Sequence, residues 1–178
     1  MALPSTIYRV NISLSDVDRG IYETLQTTVA LHPSETPERL AARLLAYVIF
    51  YDSELTFTKG VGAGDEPDLW MKGPDGRTLL WIEVGLPEAE RLIKAGRHSE
   101  RTALIAVGRT LASWEVQHLP KLTAVSNLQI VTFEPGFIGS LASTLERSIH
   151  WSVTLSYNHL YINSGAETFE TILYNRGN

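Results

Sequence analysis

The chain has 178 residues, 44% of them hydrophobic and 20% charged, with a formal net charge of −5 and no cysteine. This is the length and composition of one compact globular domain with its own core. It excludes a disulfide framework and a thiolate metal site, and an acidic balance repels nucleic acid at long range, so a nucleic-acid partner needs a local basic surface. The opening Met1-Ala2-Leu3-Pro4-Ser5-Thr6 has neither the basic start nor the apolar run of a signal peptide. No apolar run approaches the roughly 20 residues that span a bilayer. The expectation is a cytoplasmic monomer with no membrane partner.

In chain order, residues 6–14 set Ile7, Val10 and Ile12 among Tyr8, Arg9 and Asn11, and residues 22–31 are rich in threonine. Both read as strands, joined by a polar turn at 15–20 into a hairpin. Thr36-Pro37 opens a helix, a capping threonine before a first-turn proline. Leu40, Ala41, Leu44, Leu45 and Val48 give that helix a broad apolar face through about Tyr51. On this wheel Glu38 falls at about 160°, bordering the apolar face, and Arg39 and Arg43 point elsewhere.

A short strand at 55–58, a glycine loop at 60–64, a strand at 67–71, the turn Gly73-Pro74-Asp75-Gly76 and an apolar strand at 78–84 follow. The glycine loop lacks the Lys-Ser/Thr ending of a phosphate loop, so no nucleotide cofactor is expected. Pro87 opens a second helix through about Arg97, then come a strand at 102–107, a helix at 111–119, a strand at 128–133 and a helix at 135–147. The tail returns to strands at 149–156, 159–163 and 167–174. These elements make one α/β domain over 1–178, a mixed sheet covered by helices with its core at about 36–147. The β segments at 6–31 and 149–174 are expected to pair with each other.

Two carboxylates stand out. Asp68 starts one strand, after Pro67, and Glu83 interrupts the end of the next, in Leu80-Trp81-Ile82-Glu83-Val84-Gly85. A buried carboxylate needs a cation, an arginine or a metal beside it. The intervening turn makes the two strands neighbours, so Asp68 and Glu83 can share a hard cation such as Mg²⁺, which takes carboxylates and water and leaves room for a substrate phosphate. The alternatives are ordinary ones: Asp68 as a turn or capping residue, Glu83 as partner of an arginine. Glu38 is the third candidate acid and Glu35 its neighbour, although first-turn acids also serve the helix dipole. Trp70 and Trp81, on the same two strands, read as core packing.

The order of helix, Pro-Asp on a strand, Glu on the next strand and then a helix resembles the PD-(D/E)XK nuclease core. Beyond it, Leu31-His32-Pro33-Ser34-Glu35-Thr36 with Glu38-Arg39, Phe57-Thr58-Lys59-Gly60, Asp65-Glu66-Pro67, Leu80 to Pro87 and Ile93-Lys94-Ala95 look like the bacterial YaeQ family over essentially the whole chain. That resemblance implies a variant of the PD-(D/E)XK fold with extra strands at both ends. It also implies a Mg²⁺ held by Asp68, Glu83 and the Val84 carbonyl, with Glu38 assisting through water. The nuclease signature places a lysine two residues after the glutamate, where this chain has Gly85. Lys94 on the following helix is the candidate substitute and Arg91 its alternative. The apolar face of that helix, Ala89, Leu92, Ile93 and Gly96, is centred about 150° from Lys94. A helix continuing past Gly96 would gather Arg91, Arg97, His98 and Arg101 into a basic stripe, and Glu90 stands four residues before Lys94 as a surface pair. The expected function is a Mg²⁺-dependent nucleic-acid phosphodiesterase on DNA or RNA. The rivals are an inactive nuclease fold that binds nucleic acid or a protein partner, and an adaptor using the outer β surface.

Overall fold

The computed structural model describes residues 3–59 and 64–176; residues 60–63 of the glycine loop and the first two and last two residues lie outside the described residues. In chain order come β1 (Thr6–Asp16), β2 (Ile21–Leu31), α1 (Pro37–Ile49), β3 (Leu55–Phe57), β4 (Leu69–Lys72), β5 (Thr78–Val84) and α2 (Ala89–His98). They are followed by β6 (Ser99–Ile105), α3 (Leu111–Leu122), β7 (Leu128–Thr132), α4 (Phe137–Ala142), β8 (Ser148–Ser156), β9 (His159–Ser164), β10 (Glu167–Ile172) and β11 (Tyr174–Arg176). The chain divides into two compact units, Met1–Ala41 with Phe133–Tyr174, and Ala42–Thr132 with Asn175–Asn178.

The first unit holds a five-stranded sheet in the order β10-β9-β8-β1-β2. β1 and β2 form the expected antiparallel hairpin, Ile12 opposite Leu25. Its turn is tied by Arg19, whose backbone N–H and Nε both donate to the Asp16 carboxylate. β8 runs parallel to β1, with Ile12 opposite Trp151: the β segments from the two ends of the chain do pair. Tyr157 and Asn158, at φ 48 and 62, make the tight turn between β8 and β9, the geometry that matches strand twist in a two-residue hairpin. One face of the sheet is buried through Val10, Ile12, Leu14, Ile149, Trp151, Val153, Leu160 and Ile162. The helix expected over 135–147 is only the six residues of α4. Gly136 enters it at φ 82, and the Ser143 and Thr144 hydroxyls turn back on the carbonyls of Ser140 and Leu141 at 2.6 and 2.8 Å. Such local bonds compete with helix continuation.

The second unit is built on a six-stranded mixed sheet in the order β11-β7-β6-β5-β4-β3. β3, β4 and β5 form an antiparallel meander, whereas β5, β6 and β7 are parallel, so the latter three need the crossovers that α2 and α3 supply. Leu104, Leu128 and Ile130 of the sheet pack with Ala89 and Leu92 of α2 and with Trp114 and Leu122 of α3. Among the described residues no helix is long and apolar enough to cross a membrane. β11 was not foreseen: Tyr174, Asn175 and Arg176 are exposed and carry no strand pattern. They lie beside β7, where Gln129 donates to Asn175 at 2.9 Å.

α1 runs through the division between the units, its start capped by the Thr36 hydroxyl on the Arg39 N–H. The expected apolar face is buried, but so is Arg43, at 3% exposure, contrary to the wheel. α2 starts two residues after Pro87 and stops at His98, because Ser99 turns extended at φ −137. The Asn127 amide clamps that stop, donating to the carbonyls of Gly96 at 2.9 Å, Ser99 at 3.0 Å and Glu100 at 3.3 Å. Arg101 therefore lies on β6, and the continuous basic stripe expected on a longer helix does not form.

A Cβ added at Gly96 would come within 2.7 Å of Val125 Cγ1 and 3.0 Å of Asn127 Oδ1. Helix propensity alone makes Gly96→Ala stabilising by about 1 kcal/mol; overpacking against a branched side chain and this clamp reverses the sign, to a loss of about 1–2 kcal/mol. Gly139→Ala in α4, where a Cβ meets nothing within 4 Å, is the control and is expected to gain up to about 1 kcal/mol. Urea titration of both variants measures the difference; a Gly96→Ala protein at least as stable as the parent would show that the clamp yields.

Candidate functional site

The site begins with a proline. Pro67 has no N–H to give, so the β4–β5 ladder cannot continue through it in the ordinary way. Asp68 still joins the ladder, its N–H donating to the Ile82 carbonyl at 2.9 Å and its carbonyl accepting from the Thr58 N–H at 3.1 Å. One step further the side chain takes over: the Val84 N–H donates to Asp68 Oδ2 at 2.8 Å. The register that pairs Leu69 with Ile82 places Asp68 opposite Glu83, so both carboxylates leave the same face of the sheet. They are buried, at 3% and 6% exposure.

Glu83 is held by two donors. The Trp81 indole N–H reaches Oε1 at 2.8 Å and Arg91 Nε reaches the same oxygen at 2.7 Å. The guanidinium continues outward, Nη1 to the Gly64 carbonyl at 2.8 Å and Nη2 to the Glu66 carbonyl at 2.7 Å. Arg91 thus joins α2 to the segment leading into Pro67. Burial pushes the Glu83 carboxyl above the usual carboxylate range; the Trp81 indole and the Arg91 charge pull it back, and the charge of Asp68 adds to the rise. A desolvated carboxyl beside a second acid favours either a proton or a further cation.

Asp68 and Glu83 are therefore brought together, and each also has the partner its ordinary reading requires, a ladder N–H for one and an arginine for the other. Of the two candidate cations it is Arg91 that reaches Glu83. Lys94 is 70% exposed at its side chain and lies 3.7 Å from Asp65. The expected Glu90–Lys94 pair is replaced, Glu90 standing 3.9 Å from Lys121 of α3. Glu38, in the first turn of α1, is exposed rather than bordering the core. The buried acid there is Glu35, which accepts from Arg39 at 2.9 Å and from the His32 N–H at 3.3 Å. Among the described residues no group of three or more His, Asp or Glu side chains stands ready to hold a metal.

Gly85 has φ +115, a conformation that side chains other than glycine's rarely adopt. The vacancy of the lysine position is thus written into the backbone, and Gly85 donates its N–H to Ile105 at 3.0 Å. Trp70 and Trp81, expected in the core, are both only half-buried. The Arg91 partnership was open to sequence reasoning as the alternative to Lys94. What decides it is that Arg91 stands eight residues after Glu83, one turn into a helix that crosses back over the same face.

The raised Glu83 pKa has a stability consequence of definite sign. Between the ordinary carboxylate value and the raised one, the folded protein binds more protons than the unfolded chain, so stability falls as pH rises through this window. In chelator-treated protein, Glu83→Gln is expected to keep the fold, to flatten this part of the pH–stability curve and to melt at or above the parent temperature at neutral pH. Arg91→Ala removes the cation on buried Glu83 and is expected to cost about 2 kcal/mol at neutral pH, part of which Glu83→Gln restores in the double variant. Thermal melts from acid to neutral pH check this; an unfolded Glu83→Gln protein would make Glu83 a structural ion-pair member.

The family profile described as YaeQ protein matches residues 1–173. Two curated relatives, both described as uncharacterized, are the YaeQ proteins of Salmonella typhi and Escherichia coli K12. The first is 33% identical over 171 residues, 96% of this chain and 94% of the relative. The second is 31% identical over 174 residues, 97% and 96% of the two chains. The crystal structure of the YaeQ protein from Pseudomonas syringae superposes with a TM-score of 0.93 at 40% identity, covering 98% of this chain and 97% of that one. The YaeQ protein of Xanthomonas axonopodis pv. citri gives 0.93 at 30% identity, covering 98% and 99%. With its mixed α/β architecture and full-length agreement in sequence and structure, this chain belongs to the YaeQ family.

Proposed function

We propose that this chain is a divalent-metal-dependent nucleic-acid phosphodiesterase of the PD-(D/E)XK type, working at Asp68, Glu83 and Arg91. The observation that carries the reading is the buried pair of carboxylates opposite each other on β4 and β5, with a guanidinium from α2 on one of them. The succession of α1, the β3–β4–β5 meander, α2 and β6 supports a nuclease-like core in the second unit.

The donor chemistry suits Mg²⁺, which uses one or two carboxylates, keeps several waters and binds substrate phosphate. Asp68 and Glu83 would hold it, with the Val84 carbonyl as the third ligand. Bound there, such an ion would supply Lewis-acid polarisation of a phosphoryl oxygen and a water of lowered pKa. The remaining work belongs to the protein. The Val84 N–H fixes the rotamer of Asp68, and the Trp81 indole fixes that of Glu83. Arg91 spends three N–H groups on Glu83, Gly64 and Glu66, and its other two can meet phosphate oxygens as charge builds on them. Arg91 thereby supplies the positive charge that Gly85 cannot. Lys94, further out, supplies a general attraction for the strand.

The second reading, a nuclease fold that binds without cutting, is favoured by Gly85 and by the guanidinium that already compensates Glu83. Calorimetry with Mg²⁺ and Mn²⁺, run beside cleavage assays on plasmid and oligonucleotides, separates the two. Asp68→Asn and Glu83→Gln are expected to abolish both metal binding and turnover. Arg91→Ala should lower the saturated rate by about a hundredfold or more without weakening metal binding. Lys94→Ala should act on substrate affinity and make its salt dependence shallower. Metal binding by the parent protein with no cleavage of any substrate would leave the binding reading in place.

A further inference from the structure

Among the described residues, the face of the sheet that carries Asp68 and Glu83 is only partly roofed. On that side α2 packs over β6 through Ala89 and Leu92 against Leu104. Toward the β3 edge the same face continues through Trp81 of β5, its register partner Trp70 of β4 and then Thr56 of β3, with the Lys72 ammonium over the Trp70 ring. Both indoles are half-buried, and Lys72 and Thr56 are exposed. By contrast the other two tryptophans, Trp114 and Trp151, are 5% and 4% exposed. Neither surface indole is loosely placed. Trp81 is oriented by its bond to Glu83, and Trp70 has the Lys72 ammonium 4.2 Å from its ring centre, with that ammonium donating to the Thr78 hydroxyl at 2.9 Å.

Basic side chains border the indoles. A shallow pocket of about 50 Å³ brings Trp81 together with Arg91, Lys94 and His98 of α2, and with Asp65 opposite Lys94. Ordered aromatic rings flanked by cations, next to a phosphate-competent site, are the combination that binds unpaired nucleotides: bases stack on the rings and the backbone follows the charges. An intact duplex buries its base faces in its own stack and offers only edges and phosphates. An acidic chain that cannot attract duplex by overall charge gains most from such contacts.

We infer that Trp81, with Trp70 beside it, is a stacking platform for an unpaired base of the strand whose phosphate lies at Asp68, Glu83 and Arg91, so that the protein takes single-stranded nucleic acid or frayed ends in preference to intact duplex. Lys72 and Lys94 flank the path of the backbone. The position of the phosphate rests on the phosphodiesterase reading; the affinity of the platform does not require turnover.

The test is a tryptophan-fluorescence titration of the full chain in EDTA, where cleavage is absent. The probes are a single strand of about 12 nucleotides, within the site sizes usual for such surfaces, and the same strand annealed to its complement. The single strand is expected to quench emission and to bind at least about tenfold more tightly than the duplex. Trp81→Leu should weaken single-strand binding about fivefold or more, the low end for one stacked base, Trp81→Phe should restore most of it, and Trp70→Leu should also weaken it. Equal affinity for the two probes, no binding of either, or unchanged single-strand affinity in both leucine variants overturns the platform. Duplex cleavage persisting in the last case would leave the phosphodiesterase reading standing. Strand-selective, Trp81-dependent binding with no cleavage in Mg²⁺ or Mn²⁺ would sink that reading and keep the platform.

Discussion

Two carboxylates desolvated at the end of one strand pair, with the Arg91 guanidinium on Glu83, organise the second unit. Asp68 closes the β4–β5 ladder where Pro67 has removed a donor, and Glu83 fastens α2 to the sheet through Arg91. The same guanidinium takes the carbonyls of Gly64 and Glu66, so one cation joins helix, strand and incoming segment. Structure and chemistry are hard to separate here. The groups that satisfy the end of the ladder are those that would bind a cation.

The absence of a lysine two residues beyond Glu83 has a geometric as well as a chemical meaning. At φ +115 the backbone of Gly85 disfavours any side chain, so a lysine could not simply be restored there without strain. A charge supplied from α2 solves the problem at a different address. It comes from a fixed helix, and its Nε holds Glu83. This also explains why Lys94, three residues further on, sits 70% exposed near Asp65: the turn of the helix that brings Arg91 over the carboxylates carries Lys94 to the rim.

The half-roofed face beside the acids follows from topology. Parallel strands require helical crossovers on their faces, whereas the β3–β4–β5 meander is joined by turns and needs none. The antiparallel half of the sheet is therefore where alternate residues can face solvent, and there the chain places Trp70, Lys72 and Trp81. The sheet of the first unit also buries one face, built from Val10, Ile12, Trp151 and Ile162, although its central β1–β8 pair is parallel.

Periodicity, turn chemistry and the Pro-Asp and Glu motifs determined by themselves the hairpin at the start, α1, the strand over 78–84, the pairing of the two β-rich ends and the nearness of Asp68 to Glu83. Apart from the pairing of the ends, these rest on local pattern or on connections too short to allow another arrangement. Tertiary structure alone decided the rest. The Asn127 side chain, reaching back to three carbonyls, ended α2 before Arg101; Ser143 and Thr144 ended α4; and an exposed tripeptide became β11 only because β7 had an edge to offer. Packing also reversed the wheel for Arg43, since a helix buried on most sides has no polar face for amphipathic angles to locate, and left Glu38 exposed at the helix start. Which cation reached Glu83 was settled by the direction in which α2 crosses the sheet, a three-dimensional quantity that sequence spacing does not contain.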